Sequence, residues 1–264
     1  MQNLFFSINQ GTSSPLIATA IHHGHALRPG IGIYMNLTEQ ERLREEDPYT
    51  GSWTIVAPTQ ITCFQSRFQV DLNRPREKAI YEKPEDAWGL KVWKFPLPMD
   101  EKLLSLTEYD RFYLAVKKLL DDIIHRFGYC IIYDIHSYNS KRNNKEGDPL
   151  LNPDINIGTA HVNRKVWGSV IDQLMLDLSS FSFAGRFLDV RENVKFKGGY
   201  FTQWIYEQYG DICCPIAIEI KKFFMDEETG LPDPDQLALV GQALQCTTGK
   251  LYERAEQCIL TRTV

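Results

Sequence analysis

The sequence predicts an α/β protein, a three-layer sandwich on a mixed, largely parallel sheet. Two observations carry this expectation. Short apolar runs of strand length alternate with longer segments of helical periodicity along much of the chain. Polar residues able to do chemistry follow directly on several apolar runs, as they do at the carboxyl edge of such sheets. The 264 residues suffice for one large domain, and no convincing linker interrupts them, so a single domain over 1–264 is expected.

The elements follow in order. Leu16 to Ile21 is apolar and short, a buried strand that delivers His22-His23-Gly24-His25 at its end. Thr38-Glu39-Gln40-Glu41 is a capping box opening a helix to Glu46, and Pro48 keeps Asp47 out of it. Ile61 to Val70 alternates in part, as a strand would. From about 76 to 106 proline, tryptophan and charge accumulate, which predicts a surface excursion. Thr107 is expected to cap a long amphipathic helix bearing Phe112, Leu114, Val116, Leu119, Leu120, Ile123 and Ile124, with Gly128 as its stop.

Tyr129 to Tyr133 is the next buried strand, leading into Asp134-Ile135-His136-Ser137. Asn139 to Pro153 is polar and broken by glycine and proline, hence a loop. Val162 to Leu178 is a second helix, and a third runs through Trp204 to Tyr209 after Gly198-Gly199. Ile157-Gly158-Thr159 has a single glycine and is taken as loop. Pro215 to Ile220 is a strand carrying Glu219 among aliphatic residues, and Pro234 to Cys258 has a helical pattern.

Composition removes several function classes. The net charge is −5 and no basic stripe is visible, so nucleic acid is not an expected partner. No apolar stretch of about 18 residues exists, so no membrane-spanning helix is expected. Met1 to Phe6 lacks a basic segment and does not read as a signal peptide. The six cysteines are scattered without a CxxC pair, which suits reduced, mostly structural thiols in a cytoplasmic protein. Oligomeric state leaves no trace in the sequence.

Five stretches carry candidate chemistry. The three histidines of 22–25 suit either a metal site or a surface loop. Asp134 and His136, two apart on a strand, face the same side, so Asp134 can orient His136 or simply serve a strand-end turn. Glu219 sits where a carboxylate is costly unless paired or functional. It suits a general base, or a pair with Lys221 or Lys222. Arg67 and Arg74 bracket Asp71 and Asn73, a set that can grip an anion or form a salt-bridged turn. Gly198-Gly199 permits close backbone approach, or only a turn. A serine hydrolase using Ser137 beside His136 is disfavoured, because no GxSxG elbow is present and strand neighbours point apart.

Taken together and in order, these stretches resemble the N-formylglutamate amidohydrolase family. The matching strings are His22-His23-Gly24, Glu46-Asp47-Pro48-Tyr49-Thr50, Val70-Asp71-Leu72-Asn73-Arg74-Pro75, Asp134-Ile135-His136-Ser137, Lys197-Gly198-Gly199-Tyr200 and Ile218-Glu219-Ile220-Lys221-Lys222, followed by Met225-Asp226-Glu227. They run from about residue 17 to 230. The resemblance implies a fold related to zinc carboxypeptidases and one zinc ion held by two histidines and a carboxylate. It makes His22 and His136 ligands, with Asp47 favoured and Glu46 the competing carboxylate. Glu219 becomes the general base. Arg74 becomes a catalytic and substrate-binding residue. Arg67, Asn73, Ser137, Gly198, Gly199 and Tyr200 become substrate-binding residues.

His23 and His25 depart from the family pattern, and either can stand in for His22. The Trp-rich stretch around Trp88 and Trp93 has no counterpart in it. The activity implied is hydrolysis of a linear amide in an N-formyl or N-acyl amino acid or small peptide. The alternative is a ligand-binding protein on the same scaffold that has lost the chemistry.

Overall fold

A computed structural model of the chain describes residues 5–142 and 145–260. Eleven strands and six helices organise it. The strands are β1 Phe6–Asn9, β2 Leu16–Ala20, β3 Thr59–Cys63, β4 Cys130–Tyr138, β5 Lys141–Arg142, β6 Lys145–Glu146, β7 Ile155–Gly158, β8 Ser182–Phe183, β9 Arg186–Phe187, β10 Val190–Glu192 and β11 Cys213–Lys221. The helices are α1 Glu39–Glu45, α2 Met99–Phe127, α3 Arg164–Ser180, α4 Tyr200–Tyr209, α5 Pro234–Cys246 and α6 Thr248–Leu260.

Seven strands form one sheet in the order β1-β3-β2-β4-β11-β7-β10. The central β3, β2, β4 and β11 are mutually parallel, β1 joins β3 antiparallel, and β7 joins β11 antiparallel. The mixed, largely parallel three-layer architecture is therefore the one the sequence predicts. Two ribbons, β5–β6 and β8–β9, stand apart from this sheet.

The period of two assigns each strand residue to a face. Leu16, Ala18, Ile131, Tyr133, Ile135, Ile155, Ile157, Cys214, Ile216, Ile218 and Ile220 pack one core with Trp167, Val170, Leu174 of α3 and the apolar sides of α5 and α6. Ile17, Ile21, Ile61, Cys130, Ile132 and Cys213 pack the other, against Phe112, Val116, Leu119 and Ile123 of α2 and Phe201 and Ile205 of α4. By the same parity Thr19, Asp134, His136, Asn156 and Glu219 belong to the α2/α4 face. Asp134, His136 and Glu219 thus share one side of the sheet, while Ser137 has the opposite parity on β4.

Several local readings are refined. The Thr38 capping box forms in full, its side chain accepting from Glu41 N while the Glu41 carboxylate accepts from Thr38 N. Strand β3 stops at Cys63 rather than running to Val70. Helix α2 starts at Met99, so Thr107 lies inside it, its hydroxyl donating to Leu103 O at 2.8 Å. Leu114, expected on the apolar face, is 71% exposed. Gly128 ends the helix in the left-handed region at φ 80°, as expected. Of Ile157-Gly158-Thr159, taken as loop, Ile157 and Gly158 belong to β7, and the C-terminal pattern breaks at Thr247 into two helices. The loop expected from Asn139 to Pro153 carries β5 and β6, and residues 143–144 lie outside the described ones.

The segment at 76–106 is more than a surface excursion. Ile80, Tyr81, Ala87, Val92, Trp93 and Leu97 build a third apolar cluster with Ile31, Met35, Leu37 and Phe68. Among the described residues no helix is long and apolar enough to cross a membrane. None of the six cysteines forms a disulfide bond among the described residues.

The assignment of the α2 faces is directly measurable. Leu119→Ala should lower the unfolding free energy by about 2–5 kcal/mol, and Leu114→Ala should change it by less than about 0.5 kcal/mol. Urea denaturation followed by circular dichroism reads both; equal losses would mean that the helix is rotated.

Candidate metal and active site

His22 follows directly on β2, where Ile21 still packs in the core. Gly24 lets the chain leave the strand past β3, since a Cβ there would lie 2.1 Å from the Phe64 carbonyl carbon. Asp47 is brought beside His22 by main-chain bonding: its N–H donates to His22 O at 3.0 Å, and Thr50 Oγ1 donates to Asp47 O at 2.7 Å. Buried Lys222, just past β11, donates to Arg44 O at 2.6 Å and Glu46 O at 2.7 Å. The segment between α1 and Asp47 is thereby tied to the sheet. Burial lowers the Lys222 ammonium to about 8 despite the acidic groups around it.

Three side chains converge. His22 Nδ1, Asp47 and His136 offer atoms all within 4.8 Å of one another, and all three residues are buried. His136 Nδ1 donates to Asp47 Oδ2 at 2.8 Å, and His22 Nδ1 lies 3.5 Å from the same oxygen. The far side of each ring is also held. His22 Nε2–H donates to Asp71 Oδ1 at 2.7 Å, and His136 Nε2–H donates to Asp134 Oδ2 at 3.0 Å. Thr19 Oγ1 donates to the other oxygen of Asp134 at 2.7 Å.

Carboxylates that anchor the distal nitrogens of two imidazoles, with the near nitrogens turned toward a third carboxylate, suit a divalent cation. His22 Nδ1 is buried and makes no hydrogen bond, an unmet acceptor facing Asp47. Burial opposes the charged form of His136, but Asp134 and Asp47 raise its pKa well above the usual histidine range. Burial likewise opposes the Asp47 charge, yet the hydrogen bond from His136 and the nearby His22 ring hold its carboxyl below the usual range. His136 Nδ1 and Asp47 Oδ2 thus face each other 2.8 Å apart, where a divalent cation would take the place of a proton.

Glu219 lies on β11 in register with His136 on β4, on the same face, with Asn156 of β7 on its other side. Burial raises its carboxyl, and Asp47 and Asp134 reinforce the shift against the pull of His136 and Arg67, leaving it at about 7. The paired alternatives are spoken for elsewhere. Lys221 Nζ meets Asp154 at 2.9 Å, and Lys222 meets the carbonyls named above.

A cavity of about 360 Å³ opens over this cluster. His22, Asp47, His136 and Glu219 line it, with Arg67, Asn73 and Ser137 at the wall and Gly198-Gly199 at the rim. Gly199 has to be glycine: a Cβ there would come within 2.2 Å of the Asn73 amide, whose Oδ1 accepts from Phe201 N at 2.9 Å. Asn156 holds the approach to this loop, donating to Phe196 O at 2.7 Å and accepting from Lys195 N at 2.8 Å. Ser137 Oγ is buried and makes no hydrogen bond.

Other candidates sit differently. The Glu46 carboxylate is engaged by His25 Nδ1 at 2.5 Å and by Ser66 Oγ, and it does not line the cavity. His23 packs on Gly51. Arg74 donates to Asp86 O at 2.6 Å and stacks on Tyr81 at 4.9 Å. With Tyr200 it borders an adjoining open depression rather than the cavity itself.

Sequence reasoning passed over three residues here. Asp71 was visible inside the Asp-Leu-Asn-Arg-Pro string, but nothing in that string says it reaches His22. Lys222 was weighed only as a partner of Glu219. Trp88, which lines the cavity, lies in the stretch that matched nothing.

Comparison with known proteins agrees with this geometry. The family model described as N-formylglutamate amidohydrolase matches residues 14–225. The chain belongs to the N-formylglutamate amidohydrolase family. No curated protein matches it. Among solved structures it is similar to N-formylglutamate amidohydrolase from Ralstonia eutropha JMP134, with a TM-score of 0.76 and 18% identity over 96% of this chain and 98% of that one. A gene product of Agrobacterium tumefaciens is similar with a TM-score of 0.71 and 17% identity, covering 96% of each chain. At such identity the likeness shows a shared fold.

The Gly199–Asn73 contact yields a measurable expectation. Gly199→Ala should push Asn73 aside and cost about 1–3 kcal/mol by overpacking. Thermal unfolding should fall by several degrees, while Gly249→Ala, with nothing near its Cβ position, should not lower it.

Proposed function

We propose that this amidohydrolase-family protein binds one zinc ion through His22, Asp47 and His136 and hydrolyses the linear amide of an N-formyl or N-acyl amino acid or small peptide. One observation carries the proposal: two buried imidazoles, each anchored at Nε2 by its own carboxylate, turn their Nδ1 atoms toward Asp47. Two nitrogens and one oxygen are the donor set of catalytic zinc sites, which keep a position open for water. When bound, such an ion lowers the pKa of water towards about 7 and polarises a carbonyl.

The chain's own residues do the rest. Glu219, beside His136 and facing the cavity, takes a proton onto its carboxylate as water attacks the amide carbon, then delivers it to the departing nitrogen. Its poise near 7 suits both directions of transfer. Arg67, which lines the cavity, stabilises the negative oxygen of the tetrahedral intermediate or a substrate carboxylate through the guanidinium N–H groups that Asp71 and Tyr81 leave over. Asn73, Ser137 and the Gly198-Gly199 backbone orient the acyl-amino acid.

The decisive experiment is the metal content of the purified protein, followed by hydrolysis assays on N-formyl and N-acyl amino acids with and without chelator. Zinc near one per chain and chelator-sensitive turnover are expected; turnover that survives complete metal removal would overturn the proposal. Glu219→Gln should keep its zinc and lose about 10²–10⁴ in kcat. His136→Ala should lose zinc, and Asp71→Asn should weaken zinc binding by about 10–100-fold in equilibrium dialysis.

Activity should rise with pH as Glu219 loses its proton. Without metal that step centres near 7. A nearby cation favours the carboxylate, so the acidic limb of kcat/KM should lie at or below pH 7 and vanish from the residual rate of Glu219→Gln.

A further inference from the structure

The 76–98 segment reaches the cavity through Trp88. The residue is left-handed at φ 54° and is followed by Gly89 at φ 91°. This turn lays the indole against Arg67, whose Cζ lies 4.9 Å from the ring centre. Tyr81 from the same segment stands edge-on to Trp88, with ring centres 6.3 Å apart. Its hydroxyl accepts from Arg67 Nε at 3.2 Å and donates to Asp71. Arg67 Nη2 donates to Asp71 Oδ2 at 2.8 Å.

The guanidinium is thus fixed within its plane by Asp71 and Tyr81. In-plane bonds alone leave it free to tilt about the Asp71 contact. An aromatic face stacked on it removes that freedom and keeps water off one side. Its other N–H groups make no hydrogen bond among the described residues. The Arg67 side chain is only 12% exposed, whereas Trp88 is 47% exposed. Trp88 therefore does more for the setting of Arg67 than for the core.

We infer that Trp88 is a positioning residue for Arg67, holding the guanidinium face so that its remaining donors meet an anionic oxygen in the cavity. This rests on the proposed function only in giving Arg67 a substrate contact. The 76–98 segment then belongs to the site, and an aromatic ring at 88 becomes a requirement for anion recognition.

A double-mutant cycle tests it, with N-formyl-L-glutamate as substrate. Trp88→Leu should lower kcat/KM about tenfold, and Trp88→Phe should stay within about threefold of the parent. In an Arg67→Ala background, adding Trp88→Leu should change kcat/KM by less than about twofold, because the residue acts through Arg67. Bound zinc and the unfolding temperature should stay at parent values. Losses that multiply in the double variant would overturn the inference and make Trp88 a direct substrate contact.

A second arm does not depend on activity. Phenylglyoxal labelling of Arg67, followed by peptide mass spectrometry, should run several-fold faster in Trp88→Leu than in the parent or Trp88→Phe. An unchanged labelling rate would also overturn the inference. If the zinc-loaded parent cleaves no acyl-amino acid, the proposed function fails, and this arm still decides the role of Trp88.

Discussion

The site hangs on one buried carboxylate. Asp71 accepts from His22 Nε2 and the Asn73 N–H on one oxygen, and from Arg67 and the Tyr81 hydroxyl on the other. It is fully buried, so it is tolerable as an ion only because every side of it is met. Burial opposes its charge, yet Arg67 and His22 hold its pKa well below the ordinary carboxylate range. In return it ties His22 of the candidate metal site to Arg67, which lines the cavity. Under the proposed function, activating water and receiving negative charge would both depend on this single residue.

The scaffold around Asp71 explains how this is achieved. Parity along β4 and β11 sends Ile131, Tyr133, Ile135, Ile216 and Ile218 to one core and Asp134, His136 and Glu219 to the opposite face. On that face α2 covers the sheet, and its phenols reach the loop that carries Asp71. Tyr113 donates to Leu72 O at 2.6 Å and Tyr109 to Arg74 O at 2.9 Å. The helix that builds the core thus also holds the loop from Asp71 to Arg74 beside the cavity. Lys222 does the same for the Asp47 side from the end of β11. Rigid elements support every side chain in the cluster, which is what a site needs if its donors are to be in place before the ligand arrives.

The polar outliers at strand ends were readable because burying a carboxylate or imidazole in an aliphatic strand is costly without a purpose. His136 and Glu219 stood out for that reason, and their register on neighbouring strands makes them one group. The α2 start was not readable. Pro98 and the acidic Asp100 and Glu101 open the helix, while Thr107, a good cap by composition, only back-bonds to Leu103. Strand β7 was missed because four residues with one asparagine and one glycine carry no period long enough to see.

The sequence by itself determined the α/β class, the central strands β2, β4 and β11 and several of the side chains with chemistry to offer, because periodicity and the cost of buried polarity are local properties. Tertiary structure alone separated adjacent Glu46 and Asp47, sending one to His25 and Ser66 and the other to His22 and His136. It alone joined Asp71 to His22 across 49 positions and folded Trp88 back onto Arg67. Such pairings depend on where strand ends and loops meet in space, and no local pattern records that.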